Sequence, residues 1–200
     1  MYVSLVLVII LFVCVAMLVR EGLWSNGLTL VNVLLAGLVA TTQWESLANW
    51  LDEQMPSGTY LWDFVSLWMI FCLSFLITRV LTDLISRVRI RFKLPLDWAG
   101  GILLALLVGW VMVCFTSMTL HTAPLAEHFM AGQFYDTPDD RIFLGMFAPD
   151  REWLGWVGSV SAGTFRVEGN GEPFPTAEEF IARYAERRKE YEQIKTLLTE

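Results

Sequence analysis

Four long apolar runs separated by short polar breaks fill the first 120 positions of the chain, and a mixed polar sequence follows them. Tyr2 to Val19 carries no charge, and at 1.5 Å per residue a helix over it reaches about 27 Å, close to the roughly 30 Å hydrocarbon core of a bilayer. Nothing basic precedes this run and no small-x-small site follows it, so it reads as an uncleaved helix. The second span, placed at 23–42, reaches crossing length only by including Leu23-Trp24-Ser25-Asn26-Gly27. Beyond it Trp44, Leu47, Trp50 and Leu51 recur at helical spacing among Glu45, Asp52 and Glu53, which predicts a separate helix over about 44–54 lying in the membrane interface. Met55-Pro56-Ser57-Gly58 breaks it. The third span covers 60–80, with Asp63 near its start and Arg79 near its end. The fourth, at 98–120, has no charge at all.

The pattern therefore predicts an all-α integral membrane protein. A transmembrane domain over 1–120, built as a four-helix bundle, precedes a polar tail over 121–200. Charge agrees with this division. Residues 1–120 hold 6 Lys and Arg against 7 Asp and Glu, whereas 121–200 hold 8 against 14, so the tail carries six of the seven net negative charges. Apolar residues make up 55% of the chain and charged ones only 18%, outside the usual range of soluble domains. An acidic chain without a basic face is a poor fit for nucleic acid. Cys14, Cys72 and Cys114 all fall in apolar runs and read as small packing residues rather than disulfide partners.

Basic residues set the expected orientation. Arg20 follows span one, Arg79 closes span three, and Arg87, Arg89, Arg91 and Lys93 lie between spans three and four. The loop 43–59 has no Lys or Arg, and neither does the tail before Arg141. By the positive-inside rule both termini are extracytoplasmic.

Helices in lipid associate through small residues. Gly101, Ala105 and Gly109 form such a face on span four, and Ala36 and Ala40, with Gly37 adjacent, form one on span two. Packing within the chain is the expected use; a homo-oligomer is the alternative. Asn32 is a candidate hydrogen-bond donor between helices. Asp63 and Arg79 sit at span ends, where snorkelling is expected, although ionisable groups in membranes also mark transport pathways.

The tail shows no chemistry-bearing constellation. His121 and His128, with Glu127, lack the spacing of a metal motif, and Asp136, Asp139 and Asp140 lack the grammar of a calcium loop. No metal or cofactor is expected. Ser159-Val160-Ser161-Ala162-Gly163 approaches a GxSxG elbow without its first glycine or visible partners. Residues 141–157 are rich in Phe and Trp and are expected to dock on the bundle or the bilayer. Thr176-Ala177-Glu178-Glu179 is a capping box opening an amphipathic helix over about 177–198, with Phe180, Tyr184, Tyr191, Ile194 and Leu198 on one stripe and a Glu179–Arg183 pair. Arg187-Arg188-Lys189 reads as a solvated face.

Arg20-Glu21-Gly22-Leu23 before the second helix, and Leu94-Pro95-Leu96-Asp97-Trp98-Ala99-Gly100-Gly101 leading a Gly/Ala-rich fourth, resemble the colicin V production (CvpA) family of bacterial inner-membrane proteins. The resemblance covers about residues 1–125. In that family a basic and an apolar residue often stand where Trp98-Ala99 stand here, and the Gly-Phe-x-Arg-Gly loop is reduced to Arg20-Glu21-Gly22. The resemblance implies a role in toxin production or export, or in envelope processes, with Asp97 as a helix-start residue and Gly101 as a packing residue. The chain is also similar to the membrane anchors that precede some periplasmic serine-protease domains, without carrying such a domain. The expectation is a non-enzymatic scaffold or accessory protein whose partners are the bilayer and proteins in the membrane or periplasm. A small transporter or channel component, using Asp63 and Asn32, is the alternative.

Overall fold

A computed structural model describes residues 2–86, 94–124, 141–162 and 175–197. The basic cluster 87–93, the turn 135–140 with His128, the Gly169–Gly171 breaker and Leu198 lie outside the described residues. Six α-helices are present among them, with no strand: α1 Tyr2–Leu18, α2 Gly22–Gln54, α3 Thr59–Ile85, α4 Leu94–Thr122, α5 Pro149–Ala162 and α6 Ala177–Leu197. Among the described residues three helices are long and apolar enough to cross a membrane: Gly22–Gln54, Thr59–Ile85 and Pro95–Thr122. The 17-residue α1 is apolar but shorter.

The separate interfacial helix over 44–54 does not exist: those residues continue α2 without a break. The physical reason lies in the buried stripe. Val33, Ala36, Ala40, Trp44, Ala48 and Leu51 recur every three or four positions and are all buried, so one face runs the whole 33-residue length. No Gly or Pro interrupts it between Gly37 and Pro56. The chain then reverses through a 3₁₀ turn at Pro56–Gly58, at the position the sequence places the break.

Inter-helix contacts fix the directions. Trp24 Nε1 donates to Ser86 Oγ at one end of the α2–α3 pair (3.0 Å), and Thr59 Oγ1 donates to Asp52 Oδ1 at the other (2.6 Å). These two helices are therefore antiparallel. Helix α4 runs in the same direction as α2, since Leu23 meets Asp97 and Gly37 lies near Phe115. Helix α1 runs against α4, with Leu11 and Val15 on Gly109 and with Val3 and Leu7 clustered on Val113. One end of the molecule thus holds the α1–α2 corner, Ser86 and the start of α4. The other end holds the N-terminus, the α2–α3 turn, the end of α4, and both later helices.

The small-residue faces are filled from within the chain. Ala36, Ala40 and Ala105 are fully buried. A Cβ added at Gly37 would stand 2.5 Å from Trp153 Cη2, so Gly37 is the floor on which the α5 tryptophan rests. Trp153 Nε1 donates to Thr41 Oγ1 (3.1 Å), and its ring meets Phe115 edge-on. The aromatic segment 141–157 therefore docks on the helices rather than forming its own core. Ser159 and Ser161 lie inside α5, with Ser159 Oγ donating to Trp156 O (2.7 Å). A nucleophile elbow needs a strand-to-helix turn, and a helix interior provides none.

Gly37→Val is expected to expel Trp153 and loosen α5, at the roughly 1–3 kcal/mol typical of overpacking. Faster proteolytic cleavage within 141–162, with α2 and α4 intact, checks this; an unchanged digestion pattern contradicts it.

Candidate functional site

Two polar centres stand out, one at each end. The first joins the α1–α2 corner to the start of α4. The chain leaves α1 at Leu18 and enters α2 at Gly22, whose φ of 81° is a conformation that glycine adopts without strain. The first amides of α2 have no partners within the helix, and the Asp97 side chain supplies one: Leu23 N donates to Asp97 Oδ1 at 3.0 Å. An added Cβ at Gly22 would stand 3.2 Å from Asp97 Oδ2. One turn on, the fully buried Asn26 donates through Nδ2 to both Leu18 O (3.0 Å) and Gly101 O (2.9 Å). A single carboxamide therefore ties α1, α2 and α4 together. Close approach makes this geometry feasible, because a Cβ on Gly101 would lie 3.2 Å from Gly22 C and one on Gly100 would lie 2.6 Å from Leu23 Cδ1.

Asn32 and Arg79 belong to a polar seam between α2 and α3 nearby. Asn32 Nδ2 donates to Thr82 Oγ1 (3.0 Å), Arg79 Nη1 donates to Thr29 Oγ1 (3.1 Å), and Arg79 pairs with Asp83 (3.3 Å).

The second centre lies at the opposite end, where α6 crosses the start of α3. Asp63 does not snorkel to solvent as its place at a span end suggests. It is buried, and its Oδ2 accepts from Tyr184 Oη (3.2 Å) and forms an ion pair with Arg187. Arg187 also donates to Thr59 O (2.7 Å) and lies over the Tyr60 ring. Burial first, and the Asp63 carboxylate second, push the Tyr184 phenol above its usual range, so it remains a proton donor. Arg188 is buried too, with Nη1 donating to His121 O at 3.3 Å. His121 sits in the interior, with Nε2 3.0 Å from Asp150 Oδ2. The tail's basic cluster is therefore not simply a solvated face: two of its three residues reach back into the helices. The capping box forms as the sequence predicts, with Thr176 N donating to Glu179 Oε2 (2.9 Å) and Glu179 N to Thr176 Oγ1 (3.3 Å). Arg183 pairs not with Glu179 but with Glu45 on α2 (3.2 Å).

Sequence reasoning singled out Asp97, Gly101, Asn32 and Asp63 but missed Asn26, Tyr184 and Arg187. Asn26 carried a readable signal, since it stands one turn after Gly22 at the head of an apolar run. Arg187 carried none, because its partner lies 124 positions away. Among the described residues no group of His, Cys, Asp and Glu is arranged to hold a metal ion.

The sequence segments that meet at the first centre are the ones that resemble the colicin V production family. The Colicin V production protein family matches residues 3–134, well over half of the chain. The chain belongs to the colicin V production family. Both segments, and α1 to α4 apart from Tyr2, lie within the match, while α5 and α6 lie beyond it. No curated protein and no solved structure matches the chain.

Asp97→Ala is expected to remove about 1 kcal/mol of stability as a lost helix cap, with Asp97→Asn retaining most of it. Asn26→Leu should cost about 1–3 kcal/mol by removing the two hydrogen bonds that tie α2 to α1 and α4. Thermal unfolding in detergent measures both, and unchanged midpoints for Asp97→Ala and Asn26→Leu would show that the junction contributes nothing.

Proposed function

We propose that this colicin V production family protein is a non-enzymatic scaffold or accessory factor of the bacterial inner membrane, acting in toxin production or export or in a related envelope process. In this reading α1 to α4 all cross the bilayer. The corner with Arg20 faces the cytoplasm, and the N-terminus and α6 face outward. The observation that carries the reading is how the polar side chains are used. Asn26, Asn32, Arg79, Asp97 and Asp63 all bond to other parts of the chain. Side chains spent on holding helices together suit a platform. A transport pathway would instead direct such groups into an aqueous route, and Asp63, the leading candidate for that role, is engaged by Arg187 and Tyr184.

The outward face of α6 is the surface offered to protein partners. Glu178, Ala182, Glu186, Lys189 and Glu190 are exposed on it, opposite the buried Phe180, Ile181 and Tyr184. Helices α2, α3 and α4 have lengths of about 50, 40 and 43 Å at 1.5 Å per residue, longer than a hydrocarbon core of about 30 Å. Their excess, at the α2–α3 turn and the end of α4, raises α6 above the bilayer.

Charge reversal at Glu186→Lys and Glu190→Lys should release proteins that are cross-linked in cells and co-purified with the wild-type chain, while thermal stability in detergent is unchanged. Retention of every co-purifying protein contradicts the scaffold reading.

A further inference from the structure

The exposed apolar side chains of the long helices form a band that includes Leu5, Ile9, Phe12 and Val13 on α1 and Leu103, Leu106 and Leu107 on α4. One feature outside those helices continues it. In the segment before α5, Leu144, Met146 and Phe147 are 54%, 59% and 45% exposed, consecutive but for Gly145. This turn is built from the inside out. Ile142 and Phe143 are buried in a cluster with Val3, Leu7 and Val113, and both Phe143 and Phe147 meet the Trp110 ring edge-on. Leu144 and Gly145 adopt positive φ of 52° and 68°, which turns the three apolar side chains outward.

We propose that this turn inserts into the membrane, with Leu144, Met146 and Phe147 among the lipid acyl chains of the leaflet that holds the N-terminus. The inference rests on the membrane placement proposed above. Depth supports it. The turn is bonded to Ser4, whose Oγ donates to Ile142 O (2.8 Å) and accepts from Leu144 N (3.4 Å). Ser4 lies two residues into α1, about 3 Å along the helix. Trp110 is twelve residues, about 18 Å, from Trp98 at the opposite boundary, and so about 12 Å below the nearer surface of a 30 Å core. The turn spans these two levels, the depth at which amphipathic segments settle at the headgroup–acyl boundary. Backbone groups at that depth need partners within the protein. Phe143 N and Phe147 N each donate to the other residue's carbonyl at 3.1 Å, Met146 N donates to Phe143 O (3.1 Å), and Arg141 Nη1 covers Met146 O (3.1 Å). Glu152, exposed and accepting from Trp110 Nε1 (3.0 Å), gives the insertion a polar upper rim.

The test places nitroxide labels at Met146→Cys, Leu103→Cys and Glu178→Cys, each alone in the full chain with Cys14, Cys72 and Cys114 replaced by alanine. The proteins are reconstituted in phosphatidylethanolamine–phosphatidylglycerol vesicles, and collision with oxygen is compared with collision with a water-soluble nickel chelate. Insertion predicts that nickel collision at position 146 falls several-fold below that at 178, with oxygen favoured as at 103. Nickel collision at 146 equal to that at 178, while 103 stays oxygen-dominated, overturns the insertion alone. Protection of 146 from both reagents marks a protein occupant and also overturns it. Nickel-dominated collision at 103 removes the membrane placement itself, and the insertion with it.

Discussion

The helix arrangement depends on one carboxamide and one carboxylate at the α1–α2 corner. Asn26 donates to the last carbonyl of α1 and to a carbonyl of α4, and Asp97 accepts from an amide in the first turn of α2. In an apolar surrounding, unpaired backbone groups at helix ends are costly, and Asp97 at the start of α4 supplies a partner for one such amide of α2. The glycines are the steric counterpart. Gly22, Gly100 and Gly101 let the backbones come near enough for these short side chains to reach. The two motifs that carry the family resemblance are thus a single structural unit, split in sequence by 74 positions.

The opposite end follows a different logic. There the long helices continue past the length a bilayer needs, and their buried stripe carries Trp44, Ala48 and Leu51 up to meet α6. Trp44 packs against Tyr184, with ring centroids 6.2 Å apart, and the Asp63–Arg187 pair fixes the register of α6 on α3. An ion pair half-covered by aromatic rings is a better device for orientation than for raw stability. His121 and Asp150 perform the equivalent task between α4 and α5. The C-terminal helices are therefore part of the helix assembly rather than a loosely attached tail.

Much of this was legible in the sequence, and what was not has a definite physical cause. Apolar runs and breakers mark where the helices of 1–120 begin and where the α2–α3 turn falls, because length and hydropathy are local properties, but they end the second helix at 42 where α2 continues to Gln54. Thr176 and Glu179 gave the start of α6, because a capping box is local too. The charges and tryptophans of 44–54 suggest a separate interfacial helix, but the buried stripe that begins at Val33 carries α2 through them to Gln54. Asp63 was expected to reach water because one sequence cannot show that Tyr184 and Arg187 arrive from 121 and 124 positions away. In place of the expected Glu179–Arg183 pair, Glu179 closes the capping box and Arg183 pairs with Glu45, 138 positions away on α2.

The central claim is that the α1–α2 corner and the start of α4 form one junction in the membrane. Disulfide cross-linking tests it most directly, using Leu23→Cys with Gly100→Cys in the full chain freed of its three native cysteines, and Leu23→Cys with Leu106→Cys as the distant control. In native membranes treated with a mild oxidant, the 23–100 pair should form an intramolecular cross-link that shifts electrophoretic mobility, while the 23–106 pair should not. Absence of a 23–100 cross-link, or equal cross-linking of both pairs, would contradict the junction and the helix arrangement built upon it.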